Sequence, residues 1–224
     1  VARMLWIAEQ RFDVRLSYFC GGNLRNAIPR EAYAIFGMPE EDAKQFEVEF
    51  EQFAKDVRAE YQFTEPNLSI TLSRSAADMV IDEQTQHALI YSLVGVPNGV
   101  LAMSYAMKGL VETSTNLASV KFADDNRIVV TSSQRSSLES GKLYAMSTVD
   151  SVFTLAGAEV EHSDGYPGWA PNPQSMLLDV CRQSYEKLFG TEPKVRAIHA
   201  GLECGLFLEK YPALEMVSFG PTLR

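Results

Sequence analysis

The chain has 224 residues, with 20 Lys and Arg against 29 Asp and Glu, for a net charge of −9. That balance leaves no phosphate-neutralising face and argues against nucleic acid as a partner. A hydrophobic content of 46% and a charged content of 22% exclude disorder and collagen, and no apolar run nears the roughly 18 residues of a membrane span.

Arg3 to Gln10 reads as a helix at the very start of the chain. No initiator Met and no basic signal segment precede it, and the chain closes at Phe219-Gly-Pro-Thr-Leu-Arg224 without a polar tail. Both ends therefore read as cut, and the expectation is a piece of a longer protein. Val14-Arg-Leu-Ser-Tyr-Phe-Cys20 alternates as a strand does, Gly21-Gly22-Asn23 signals a turn, and Ala32 to Phe36 reads as a second strand of the same hairpin. Pro39 opens a helix with Glu40, Glu41 and Asp42 at its positive end. Phe46, Phe50, Phe53, Val57 and Tyr61 recur along it at helical spacing, which is the pattern of a core face.

Leu68 to Leu72 alternates and is read as a strand, Asp82 to Leu93 as a helix ended by Val96-Pro-Asn-Gly99. Leu117 to Phe122 and Ile128 to Ser132 read as paired strands across Asp124-Asp-Asn126. Leu143, Met146, Val149, Phe153 and Ala156 mark a helix, Glu159 to His162 a strand, and Gly165-Tyr-Pro-Gly-Trp-Ala-Pro171 a rigid loop. Leu177, Cys181, Ser184 and Leu188 share one face of a further helix, with Gly190 just past its end. Val195 to Ile198 and Val217 to Phe219 read as short strands. The expected class is α/β with an α+β first part: an antiparallel sheet with helices on one face, followed by part of a mixed α/β sheet. The loop at 165–173 is the best boundary between the two.

Cys20, Cys181 and Cys204 are an odd, scattered set that makes no disulfide framework and fits a reducing compartment. No HxH, HExxH or CxxC spacing joins His87, His162 and His199, so no metal site is expected from this chain alone. His87 and His162 read as solvated. His199-Ala-Gly-Leu-Glu-Cys-Gly205 reads either as a tight turn into a helix or as a ligand-facing turn whose backbone N–H groups hold a carboxylate. A Cys204–His199 nucleophile pair is a third reading, weakened by their five-residue separation. Arg135, at the end of a strand, is either solvated or a bidentate clamp on a substrate carboxylate. Asn26 reads as a turn residue, and Glu112 to Asn116 as a polar strand entry.

Seven segments stand in one order: Gly21 to Ala32, Pro97-Asn-Gly99, Glu112-Thr-Ser-Thr-Asn116, Arg135-Ser-Ser137, Asp164-Gly-Tyr-Pro-Gly-Trp169, His199 to Gly205, and Gly220-Pro-Thr222. Together they resemble the bacterial aminoacyl-histidine dipeptidases, also called Xaa-His or cytosol non-specific dipeptidases, relatives of the carnosinases. The resemblance implies a cytoplasmic hydrolase with two zinc ions, acting on Xaa-His and other dipeptides. It implies that residues 1–160 are a lid and dimerisation domain, and that 161–224 begin the returning half of the catalytic domain. The zinc ligands and the general base of such enzymes fall outside this chain, so no catalytic or metal residue is assigned within it and the chain alone is expected to be inactive. By the same resemblance Asn26 reaches a neighbouring active site across a homodimer, Arg135 clamps the dipeptide's carboxylate, Thr113 lies near the substrate, and Ala200, Gly201 and Glu203 occupy a substrate loop. A binding or dimerisation module without a hydrolytic role is the alternative.

Overall fold

The computed structural model describes residues 1–224 apart from 78, 125, 171, 173, 198–201 and 221–224, and only the backbone of residue 202. The described residues form a mixed α/β fold with antiparallel strand pairing and six α-helices. They divide into two compact units. The first comprises Val1–Val96, Leu117–Ser132 and Val152–Glu159; the second comprises Pro97–Asn116, Ser133–Ser151 and Val160–Arg224.

In the first unit, α1 (Ala2–Arg11) lies between two apolar clusters. Met4 and Ala8, one turn apart, join Phe12 and Val14 against Phe46, Phe50 and Ala54 of α2 (Ala43–Tyr61), which follows a 3-10 turn at Glu40–Asp42. The phenylalanines meet edge to face: Phe12 and Phe46 at 5.6 Å, Phe36 and Phe46 at 5.3 Å. Such contacts add about 0.5–1.5 kcal/mol each to simple burial. The aromatic stripe of α2 is therefore core, but only through Ala54; Tyr61 is exposed.

Leu5, on the other side of α1, enters the second cluster. Its partners include Leu16 and Phe19 of β1 (Arg15–Gly21), and Leu89, Ile90 and Leu93 of α3 (Glu83–Gly95). Strand β1 pairs antiparallel with β2 (Ala32–Gly37), but the register slips between Leu16 and Tyr18. The bulge shifts the alternation by one residue. Phe19 thus joins Leu16 inside, while Tyr18, which simple alternation would have buried, stacks on Tyr33 at 5.7 Å.

Gln86 of α3 is 2% exposed and fully engaged. Its carbonyl accepts the Leu16 N–H at 2.6 Å, and its amide donates to Glu9 and to the Val14 carbonyl, each at 3.0 Å. One side chain thereby ties α1, β1 and α3 together at the cost of burying an amide, which is tolerable only because both its ends are satisfied.

Asp82 caps α3 by accepting the Thr85 N–H at 2.9 Å. Hydrogen bonds from Thr85 hold the Asp82 carboxyl below its ordinary pKa, and the Arg3 guanidinium does the same for Glu60. A lowered folded-state pKa contributes stability above the ordinary carboxylate range and loses it as pH falls through the folded value. Asn caps as well as Asp but does not titrate. Asp82→Asn is therefore expected to melt less pH-dependently than the parent between about pH 5 and pH 2. Identical slopes of melting temperature against pH would show that the cap charge is irrelevant.

The remaining strands are β3 (Gly99–Met103), β4 (Val111–Phe122) and β5 (Ile128–Ser136). β4 and β5 pair and both run from one unit into the other along the chain. In the first unit Gly21 of β1 faces Val120 of β4; in the second, β3 pairs with Val111–Thr115. The turn between β4 and β5 closes through the Ala123 N–H on the Arg127 carbonyl, with Asn126 left-handed at φ 61°. Helix α4 (Glu139–Leu155) follows, then α5 (Met176–Phe189) and α6 (Leu202–Lys210). Ser175 caps α5 on the Leu178 N–H, and Gly190 ends it at φ 68°, as its sequence position implies.

Four expected strands do not form among the described residues. Leu68–Leu72, Glu159–His162, residues 195–197 and Val217–Phe219 carry no strand, and Ile198 lies outside the described residues. A strand exists only through a partner ladder, and none pairs with these segments among the described residues. The 68–72 segment is instead held by packing of Ile70 on the first cluster and by Arg58 donating to the Ile70 carbonyl at 2.9 Å. After Ser136 the described residues contain helices and loops only, so the mixed sheet expected beyond the 165–173 loop is not formed by them. β3, conversely, went unread, because Gly-Val-Leu-Ala-Met has no alternation and becomes a strand only by lying along β4.

Candidate substrate-recognition site

The second unit assembles most of the residues singled out above. Antiparallel pairing of β4 with the end of β5 sets Thr113 beside Ser136, with their hydroxyls 2.9 Å apart, and Gln134 donates to the Thr115 hydroxyl at 3.1 Å. The Ser137 N–H donates to the Glu112 carbonyl, and the Ser136 hydroxyl accepts the Leu138 N–H at 3.1 Å, which turns the chain toward α4. Gly141 in the first turn of α4 lies directly on the hydroxyl pair. A Cβ there would stand 2.9 Å from both oxygens, so only glycine lets the helix approach this closely.

Alternation along β5 buries Ser136 and turns its neighbour outward. Arg135 is exposed, and its guanidinium makes no hydrogen bond or ion pair with any described residue. It thus ends a rigid strand as an available planar fork, the geometry that suits a carboxylate.

The Gly165–Trp169 segment packs on the strand end. A Cβ on Gly168 would lie 2.8 Å from the Ser137 carbonyl oxygen and 2.9 Å from that of Ser136. Helix α6 packs in turn on this segment, since a Cβ on Gly205 would lie 2.5 Å from the Pro167 carbonyl oxygen. Strand end, loop and helix are therefore stacked through two glycines. Glu203 is exposed in the first turn of α6, and Cys204 is half-buried.

Arg135, Thr113 and Glu203 accordingly belong to one continuous packing arrangement. Thr113 is 4% exposed, and its hydroxyl is occupied by Ser136. Asn26 is exposed in the β1–β2 connection of the first unit. His199, Ala200 and Gly201 lie outside the described residues. His162 is bonded to Asp150 at 2.8 Å, and His87 stacks on Tyr91 with ring centres 3.9 Å apart. The sequence reading missed Gly141, Gly168 and Ser136–Ser137 as the framework around Arg135. A glycine inside a helical pattern was the available signal for Gly141.

The three cysteines are free. No group of three or more His, Cys, Asp or Glu side chains among the described residues could hold a metal ion. These residues do not fit a zinc site. No described helix is long and apolar enough to cross a membrane.

No family model matches the chain. It is 39% identical over 224 residues to the cytosol non-specific dipeptidase of Escherichia coli (strain K12), covering all of this chain and 46% of that protein. The chain is similar to a dipeptidase from end to end. Its structure matches that of aminoacylhistidine dipeptidase from Vibrio alginolyticus with a TM-score of 0.89 at 38% identity, over 99% of this chain and 45% of that one. The chain thus spans under half the length of either protein.

Proposed function

We propose that this chain is the recognition and lid portion of a zinc-dependent cytoplasmic dipeptidase. In this reading residues 1–160 form the lid and residues 161–224 begin the returning half of the catalytic domain. The observation that carries the proposal is similarity over the whole chain, at 39% identity, to a dipeptidase. The exposed guanidinium of Arg135 at the end of a braced strand supports it independently.

The roles follow from the chemistry of each group. Arg135 pairs with the free carboxylate of the dipeptide through two parallel hydrogen bonds. Thr113, with its hydroxyl on Ser136, stiffens the strand that presents Arg135. Asn26 adds a contact from a partner subunit across a two-fold dimer, and Gly201 and Glu203 line the substrate beside α6. Binding a short peptide by its charged end fixes the scissile bond in place, an entropic advantage for the later chemistry. The zinc ions are held by parts of the longer protein outside this chain.

The test is a paired assay. The full-length protein is expected to hydrolyse Xaa-His and other dipeptides, to contain zinc, to lose activity to a chelator, and to scatter light as a dimer. The isolated chain is expected to show no turnover with added zinc, manganese or cobalt. Turnover by the isolated chain, or a full-length protein inert toward dipeptides, would overturn the proposal.

A further inference from the structure

The segment between α4 and α5 carries no helix or strand through Trp169, yet it is the middle layer of the stack beside Arg135. Three side chains of α4 reach it. Lys142 donates to the Tyr166 carbonyl at 2.9 Å, Glu139 accepts the Gly168 N–H at 3.4 Å, and Asp150 meets His162 at 2.8 Å. Glu139 and Lys142 are also an ion pair at 2.8 Å, one turn apart. An exposed pair of this kind ordinarily contributes little. Here its two members also hold the backbone on either side of Pro167, and the Lys142 side chain is only 20% exposed. Pro167 and Gly168 are the residues that Gly205 of α6 and the Ser136–Ser137 backbone press against.

We propose that Glu139 and Lys142 are positioning residues for substrate recognition: a two-point clasp that fixes the 165–169 loop and through it the setting of Arg135 and Glu203. This rests on the recognition role proposed above for Arg135. The clasp acts on the geometry that receives the carboxylate and touches no reacting atom. Its loss is therefore expected to weaken substrate binding more than turnover.

The test uses the full-length protein with Lys142→Met, Glu139→Gln and Lys142→Arg. Two readouts are taken: hydrogen exchange at the Gly168 amide, which Glu139 accepts, and steady-state kinetics on a dipeptide with a free carboxylate. Lys142→Met is expected to speed exchange of the Gly168 amide about tenfold and to raise KM about five- to fiftyfold, with kcat within about twofold. Exchange within α4 and the melting temperature should stay unchanged, Glu139→Gln should show a smaller effect of the same kind, and Lys142→Arg should restore most of both readouts. Unchanged exchange in the loop overturns the clasp. Faster loop exchange with an unchanged KM overturns its role in recognition, and a general loss of exchange protection across the unit assigns Lys142 to folding instead. If the unsubstituted protein hydrolyses no dipeptide, the functional reading fails, and the exchange result still decides whether the pair holds the loop.

Discussion

Arg135→Ala in the full-length protein is expected to lower kcat/KM for dipeptides about ten- to several-hundred-fold while leaving metal content and melting temperature unchanged. Arg135 lies at the end of β5, is exposed, and its guanidinium makes no hydrogen bond or ion pair with a described residue, so its removal breaks none of these. Hydrogen bonds to charged groups are worth roughly 1.5–3 kcal/mol each, and a bidentate pair sets the upper end of the expected loss. Arg135→Lys should recover only part, because an ammonium cannot reproduce the planar fork. Against a substrate with an amidated C-terminus the penalty should shrink sharply, since no carboxylate remains to be clamped. Equal losses on both substrates would show that Arg135 supports the protein rather than the ligand.

Gly22→Ala is expected to be the most damaging small substitution in the first unit. Gly22 has φ 64°, in the left-handed region, and a Cβ there would lie 1.9 Å from the Ala118 carbonyl oxygen of β4. The atom in the way is backbone within a paired strand, so it cannot swing aside as a side chain would. Left-handed strain adds roughly 1 kcal/mol before the clash is counted. The total places the loss at about 3–5 kcal/mol, a large share of the stability of an ordinary domain. Gly37→Ala is the control: nothing lies within 4 Å of its added Cβ, and a negligible change is expected. Urea midpoints for the two variants within experimental error of each other would refute the close approach of Gly22 to β4.

How much of this was legible in the sequence varied with the range of the interactions involved. The α2 stripe and the Gly190 end of α5 were readable because helical periodicity and caps are local. The β4–β5 pair was readable with its turn end in place but too short at the end away from the turn, since polar Val111–Asn116 and Ser133–Ser136 become strand only through their pairing partners. The slip at Ser17 left no mark on an alternating string, yet it decides whether Tyr18 or Phe19 faces the core. Alternation at Leu68–Leu72 was misleading for the opposite reason, because a strand-like pattern with no neighbouring strand remains an extended segment. In the site, Arg135 could be picked out as a strand-end cation. That Thr113 is buried under Gly141, and that Gly168 and Gly205 stack loop on strand and helix on loop, required the fold itself.

The interleaving of the two units along the chain has a consequence during synthesis. The first unit draws on Val1–Val96, Leu117–Ser132 and Val152–Glu159. Its first 96 residues are therefore translated before Leu117–Ser132 and Val152–Glu159, and the unit is complete only after 63 further residues. At ordinary elongation speeds the wait is of the order of several seconds; Leu5, Leu16, Phe19 and Leu89 can already pack on one another, and only the face that Val120 covers stays open. Slowing translation lengthens that wait and should raise the amount of a chaperone-bound early species. Neither unit is heritable as a single uninterrupted stretch of coding sequence, so a deletion that removes one also severs strands of the other.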